Sequence, residues 1–128
     1  NRRTVLAPDE MLTAIEVPQH LEQERSGFIK LGARSSLVIS IVMAAGVLQL
    51  DGAGRVMRAG LSVGACSEVA QRLSVLEAAL VGQVPIGDLV KPEHFATLSP
   101  LDDHRGTAGY RLDAAVTLVR RLLEELSP

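Results

Sequence analysis

The chain has no tryptophan, one tyrosine and two phenylalanines among 128 residues. Its core must therefore be aliphatic, which suits packed sheet and helix. The exposed aromatic platforms on which single-stranded nucleic acid stacks are excluded. An excess of either charge is also missing: 13 Lys and Arg against 15 Asp and Glu give a net −2. The cations are scattered, so no general attraction to phosphate backbones is expected, and no nucleic-acid partner. The single Cys66 excludes an intrachain disulfide and CxxC chemistry, and it fits a reducing, cytoplasmic setting. It reads as a small buried residue and not as a nucleophile. The longest apolar run, 37–50, already contains Ser40 and Gln49 and is too short to span a bilayer. No signal-peptide core follows Asn1-Arg2-Arg3-Thr4.

What is present is enough chain for one domain with a core of its own. With no initiator Met at Asn1, residues 1–128 are expected to be a single domain from a fragment or a processed chain. Pro8-Asp9-Glu10 reads as a turn and 11–17 as a strand stopped by Pro18. Its core face would be Met11, Thr13, Ile15 and Val17, leaving Leu12 as an apolar side chain on the face that carries Glu16. Residues 19–26 read as a charged loop and 27–31 as a second strand, with Phe28 and Lys30 on one face. A long β-rich stretch, 37–50, leads into the hairpin loop Asp51-Gly52-Ala53-Gly54. In the return strand, 55–63, Met57, Ala59, Leu61 and Val63 are expected to oppose Val56, Arg58, Gly60 and Ser62.

The period then changes. Ser67 is placed to cap a helix reaching Val81, with Val69, Leu73, Leu76 and Leu80 as its stripe and Gly82 at its end. Short helical pieces are expected in 85–98. From Tyr110 the apolar positions Leu112, Ala115, Val116, Val119, Leu122, Leu123 and Leu126 define an amphipathic packing helix. Strands first and helices afterwards make the fold class α+β: an antiparallel sheet of three to four strands with about three helices on one face.

No catalytic constellation emerges from the residues themselves. His20, His94 and His104 have no metal-ligand spacing. There is no GxSxG, and Gly52-Ala53-Gly54 joins two strands and does not open a helix, so it fails as a dinucleotide fingerprint. Asp102 and Asp103 lack the apolar surroundings that would raise a carboxyl pKa. Two segments remain. Lys30 and Arg34 flank Gly32 at a strand end, where cations and backbone N–H groups can meet an anion or an electron-rich ring edge, or simply form a solvated loop. Asp102 with Arg105 or Arg111 forms a charge-assisted lock on the start of the last helix.

Three blocks in register resemble the C-terminal domain of the FAD-binding (medium) subunit of molybdenum hydroxylases, the carbon monoxide dehydrogenase flavoprotein and xanthine dehydrogenase family. They are the stretch from Thr4 to Pro18, the stretch from Phe28 to Ser40, and Asp102-Asp103-His104-Arg105-Gly106-Thr107-Ala108-Gly109-Tyr110-Arg111 with its Leu-Val-Arg-Arg continuation at 118–121. The strand Ala59-Gly60-Leu61-Ser62-Val63-Gly64-Ala65 belongs with them. The resemblance implies an α+β domain that closes over the isoalloxazine of FAD, most of which is held by a preceding FAD-binding domain absent from this chain. It implies electron flow from a molybdenum-cofactor subunit through a [2Fe–2S] subunit to that flavin and on to an external acceptor. It further implies that Leu12 packs on the flavin ring, that Lys30 lies near its polar edge, and that Arg34 sits in the neighbouring loop. Many relatives carry a second basic residue after Arg34, where this chain has Ser35.

On this reading the chain is part of an oxidoreductase that is not active alone. The alternatives are a non-catalytic module that binds a partner subunit and no flavin, and a small ligand-binding α+β domain. The sheet face that would meet the flavin domain is expected to be partly apolar, a route to homo-oligomers once uncovered.

Overall fold

The structure, a computed structural model, describes residues 4–16, 24–34 and 37–128. Four antiparallel strands lie side by side in chain order: β1 (Glu24–Leu31), β2 (Val42–Leu50), β3 (Val56–Gly64) and β4 (Gln71–Arg72). They are followed by α1 (Ser74–Leu80), two 3-10 turns (Gly87–Leu89 and Pro92–Phe95) and the long α2 (Ala108–Leu126). The fold is α+β, as the order of patterns predicts, with 3-10 turns in place of a third helix among the described residues.

One face of the sheet makes the core. Along β2 every second residue from Val42 to Leu50 is buried, and β3 adds Val56, Leu61 and Val63. The apolar stripe of α2 closes over them through Ala115, Val119, Leu122 and Leu123, and α1 contributes Leu76 and Leu80. The helix comes this close because Gly27 and Gly46 have no side chain: a Cβ at Gly46 would sit 2.9 Å from Leu61 and 3.1 Å from Leu122. Arg25 of β1 donates to the Ser127 carbonyl just past α2, so the first strand also satisfies the last helix's orphan end.

The hairpin loop forms where expected. The Asp51 carboxylate accepts from the N–H groups of Ala53 and Arg55, both at 2.9 Å, and Gly54 takes the left-handed φ of +75° that glycine tolerates. The faces of β3 differ from strict alternation. Gln49 pairs with Arg58 but Leu50 with Val56, so Met57 is an extra, bulged residue. The bulge shifts the phase by one: Val56 is 2% exposed in the core and Met57 is 56% exposed outside it.

Several other boundaries move. Residues 37–41 do not join the strand: Leu37 adopts φ +50°, and β2 starts at Val42. The helix expected from Ser67 starts at Ser74, because Gln71 and Arg72 pair with Val63 and Ser62 of β3 before the chain turns. Ser67 accepts from the Ser99 N–H and caps no helix, and Val69 is exposed. Finally, residues 11–16 are irregular and exposed, with no partner strand in place of the expected pairing. The supposed core positions Met11 and Ile15 are therefore open to solvent, while Val17 lies outside the described residues. Of the charged loop expected at 19–26, Glu24, Arg25 and Ser26 belong to β1 and the rest, including His20, lies outside the described residues.

Candidate functional site

The polar lead into α2 folds as an anchor. Thr107 caps the helix by accepting from the Tyr110 N–H at 3.1 Å, and Asp102 accepts from the Ala108 N–H at 2.6 Å, placing a carboxylate at the positive helix end. The lock itself belongs to the next residue. Asp103, not Asp102, holds both arginines: one oxygen takes Arg111 at 2.7 Å and the other takes Arg105 at 2.9 Å. Arg111 is only 4% exposed and also donates to the carbonyls of Ile41 at 2.6 Å and Ala65 at 3.2 Å. One guanidinium thus ties the start of α2 to the chain entering β2 and the chain leaving β3. The Arg111 guanidinium, helped by the Arg105 N–H, holds the Asp103 carboxyl well below the usual carboxylate range. Next to this anchor, burial pushes the Cys66 thiol up, against the pull of the Arg111 charge. Cys66 is fully buried in the core, a packing residue as its sequence context suggests.

The cationic segment at the end of β1 is also tied down. Lys30 Nζ donates to the Val38 carbonyl at 2.6 Å and Arg34 to the Leu37 carbonyl at 2.5 Å. Gly32 lies between them, and a Cβ there would meet Val38 at 2.5 Å. Lys30 lies near the end of β1 and Arg34 in the turn that follows it, both exposed and both with N–H groups to spare. Ser35 and Ser36 lie outside the described residues. Leu12 sits in the irregular N-terminal segment, 65% exposed, with Met11 and Ile15 exposed beside it. The turn preceding it is held locally, Glu10 N–H to the Ala7 carbonyl at 3.1 Å and Ala7 N–H to the Glu10 carboxylate at 2.8 Å.

The sheet face expected to be partly apolar also holds a groove that the sequence reading did not anticipate. The sheet face opposite α2 carries a groove of about 590 Å³, floored by Ala45, Val47, Gly60 and Ser62 and walled by Phe28 and Arg72. Arg72 reaches over Gly60 and pairs in bidentate fashion with Glu77, at 2.7 Å for each contact, while Glu77 also accepts the Leu61 N–H at 2.8 Å. Burial by itself would raise the Glu77 carboxyl, but the Arg72 guanidinium and the Leu61 N–H hold it below its usual value. The signal was legible: the central outward positions Ala45, Val47, Gly60 and Ser62 are small, and such residues leave a hollow where no element covers them.

Among the described residues no group of three or more His, Cys, Asp or Glu is arranged to hold a metal ion, and no helix is long and apolar enough to cross a membrane. This antiparallel meander with its single covering helix layer matches a family. The model of the CO dehydrogenase flavoprotein C-terminal domain fits residues 28–126, and the chain belongs to that family. Solved structures share the fold. Reconstituted CO dehydrogenase from Oligotropha carboxidovorans matches with a TM-score of 0.78 at 22% identity, over 86% of this chain and 39% of that one. CO dehydrogenase from Hydrogenophaga pseudoflava, in a form lacking the Mo-pyranopterin moiety of its cofactor, matches at 0.77 and 24%, with the same coverage. Quinoline 2-oxidoreductase from Pseudomonas putida 86 matches at 0.73 and 25%, over 80% of this chain and 36% of that one. The chain therefore spans about two fifths of the length of the solved chains it resembles. No curated protein sequence matches it.

Proposed function

We propose that residues 1–128 form the flavin-covering C-terminal domain of the FAD subunit of a molybdenum hydroxylase. In the parent enzyme, electrons would pass from a molybdenum-cofactor subunit through a [2Fe–2S] subunit to FAD, and from there to an external acceptor. The observation that carries this reading is the family match over residues 28–126. The exposed apolar run around Leu12 and the exposed cations Lys30 and Arg34 support it, since they offer what a flavin needs on its two sides.

The residues present fit such a group. Leu12 supplies an apolar contact for the isoalloxazine, and its exposure leaves it free to be covered. Lys30 keeps two ammonium N–H donors beyond the bond to Val38, enough to meet an electron-rich ring edge, and Arg34 keeps guanidinium donors in the adjoining loop. FAD supplies the electron-carrying chemistry; these side chains bind, orient and exclude water by packing and electrostatics, without moving a proton. The upstream FAD-binding domain would hold the rest of the cofactor, and the chain alone would not be active.

The test is co-expression with the native upstream sequence, followed by visible absorption of the purified protein. A yellow protein whose flavin is lost or spectrally altered by Leu12→Asp is expected. A colourless protein, or flavin indifferent to Leu12, would move the reading to a subunit-interaction module that binds no flavin.

A further inference from the structure

The segment Met11-Leu12-Thr13-Ala14-Ile15-Glu16 has the pattern of a strand and none of a strand's bonds. In extended backbone it sets Met11, Thr13 and Ile15 on one face and Leu12, Ala14 and Glu16 on the other. Both ends are marked. The turn tied between Ala7 and Glu10 comes before it, and Pro18 stands two residues after it. Its length is that of an ordinary strand, about 5–6 residues. Yet among the described residues no hydrogen bond joins 11–16 to any other residue. Met11 and Ile15, the two largest side chains of their face, are each 80% exposed.

The domain's own sheet has a free edge at β1 but little core behind it. β1 is the outermost strand, and it adds no buried side chain to the core, only the partly buried Ile29 and Leu31. A strand laid outside it would leave Met11 and Ile15 with little apolar surface to pack on. The edge is also lined by Glu24, Arg25 and Lys30, charges of the kind that discourage further pairing. The place for this segment therefore lies in another body. The family model begins at residue 28 and describes a C-terminal domain, so 11–16 precede it on the side from which the rest of the subunit comes. More than half of each matched solved chain lies outside the part that this chain spans.

We propose that Met11–Glu16 is a strand of the preceding domain, added to a free edge of that domain's β-sheet with Met11 and Ile15 turned into its core. Main-chain bonds along the strand give the attachment, and the two side chains fix its register. The inference rests on the upstream domain invoked in the proposed function, not on the flavin contact. Leu12 projects from the opposite face. It would be carried by the preceding domain, while Lys30 and Arg34 stay on this one.

Hydrogen–deuterium exchange, read by mass spectrometry on the chain with its native upstream sequence, tests this, with residues 1–128 alone as the reference. In the longer protein the amides of 12–16 are expected to exchange roughly a hundredfold or more slower than in 1–128, where they exchange as free chain. Ile15→Asp should abolish that protection, yet leave the thermal unfolding of residues 1–128 unchanged, because Ile15 is in water there. Should the longer Ile15→Asp protein not fold, Thr13→Pro and Ala14→Pro repeat the test. Neighbouring N–H groups point to opposite sides of a strand, so at least one of these two removes a ladder bond and lowers the protection. Equally fast exchange of 12–16 in both proteins overturns the proposal. So does protection already present in 1–128, whether at every concentration, as pairing on β1 would give, or only at high concentration, as a second copy would. A colourless longer protein with the segment protected removes the flavin reading and leaves this one standing; a yellow one with the segment unprotected does the reverse.

Discussion

The two faces of this one sheet are built from the same strands and differ in what covers them. On the inner face the small positions are occupied: Leu122 and Leu126 fill the space above Gly27, and Leu61 and Leu122 the space above Gly46. On the outer face Gly60 has only the tip of Arg72 nearby, 3.7 Å from where a Cβ would be. A small residue in a strand is therefore not one kind of feature. Inside, at Gly27 and Gly46, it records the close approach of a helix; outside, it leaves a hollow at Gly60 but is filled by the Met43 side chain at Gly64.

The contrast breaks first, and most severely, at the edge of the inner face. Arg111→Leu removes the guanidinium that the Ile41 and Ala65 carbonyls and Asp103 share. A loss of about 3 kcal/mol is expected, read from urea unfolding. Gly46→Val comes next. Its Cβ alone would press on Leu61 and Leu122, and overpacking of this kind costs roughly 1–3 kcal/mol. Gly60→Ala on the outer face is the counterpart, since its Cβ meets only ordinary contact distance. It should change stability by less than about 0.5 kcal/mol. Equal effects at Gly46 and Gly60 would erase the distinction between the faces.

Acid unfolding sharpens the same picture. The Asp103 carboxyl is held below its ordinary value near 3.8 by Arg111 and Arg105. A depressed folded-state value means that its contribution is fully present above the unfolded value and is lost as pH falls through that value towards the lower folded one. Asp103→Asn should therefore lower stability at neutral pH and flatten the acid limb of the stability curve below about pH 4. Asp102→Asn keeps an oxygen to accept from the Ala108 N–H and should leave that limb nearly as it was. If both variants flatten the limb alike, the assignment of the lock to Asp103 is wrong.

Much of this was legible in the sequence, and the exceptions share a cause. The last helix could be read from period alone because every turn of α2 repeats the same apolar stripe against one surface. The hairpin loop was legible because Asp51 and Gly54 satisfy local geometry. What failed depended on a distant partner. The strand pairing of Gln71 and Arg72 is decided by β3 and by Glu77, not by the apolar spacing that suggested a longer helix. The phase of Val56 is set by a bulge opposite Gln49 and Leu50. The lock falls on Asp103 and not Asp102 because a tight bridge between Asp103 and Gly106 aims that carboxylate back at Arg111. Of the candidate flavin contacts, Lys30 could be placed at a strand end and Arg34 in the loop after it, whereas their carbonyl partners at Val38 and Leu37 carried no sequence signal.

The grip of Arg25 on the end of α2 spans 102 residues of chain, from the first strand to the residue after the last helix. The strands themselves pair with their immediate neighbours in sequence and can assemble as a meander while the polypeptide is still growing. α1 covers part of their inner face, and the rest has no lid until α2 packs on it. A sheet that forms before that docking leaves Val42 and Leu48 uncovered, the kind of transient apolar surface that chaperones engage. The helix that lies farthest along the chain from the first strand is the one that closes the core over it.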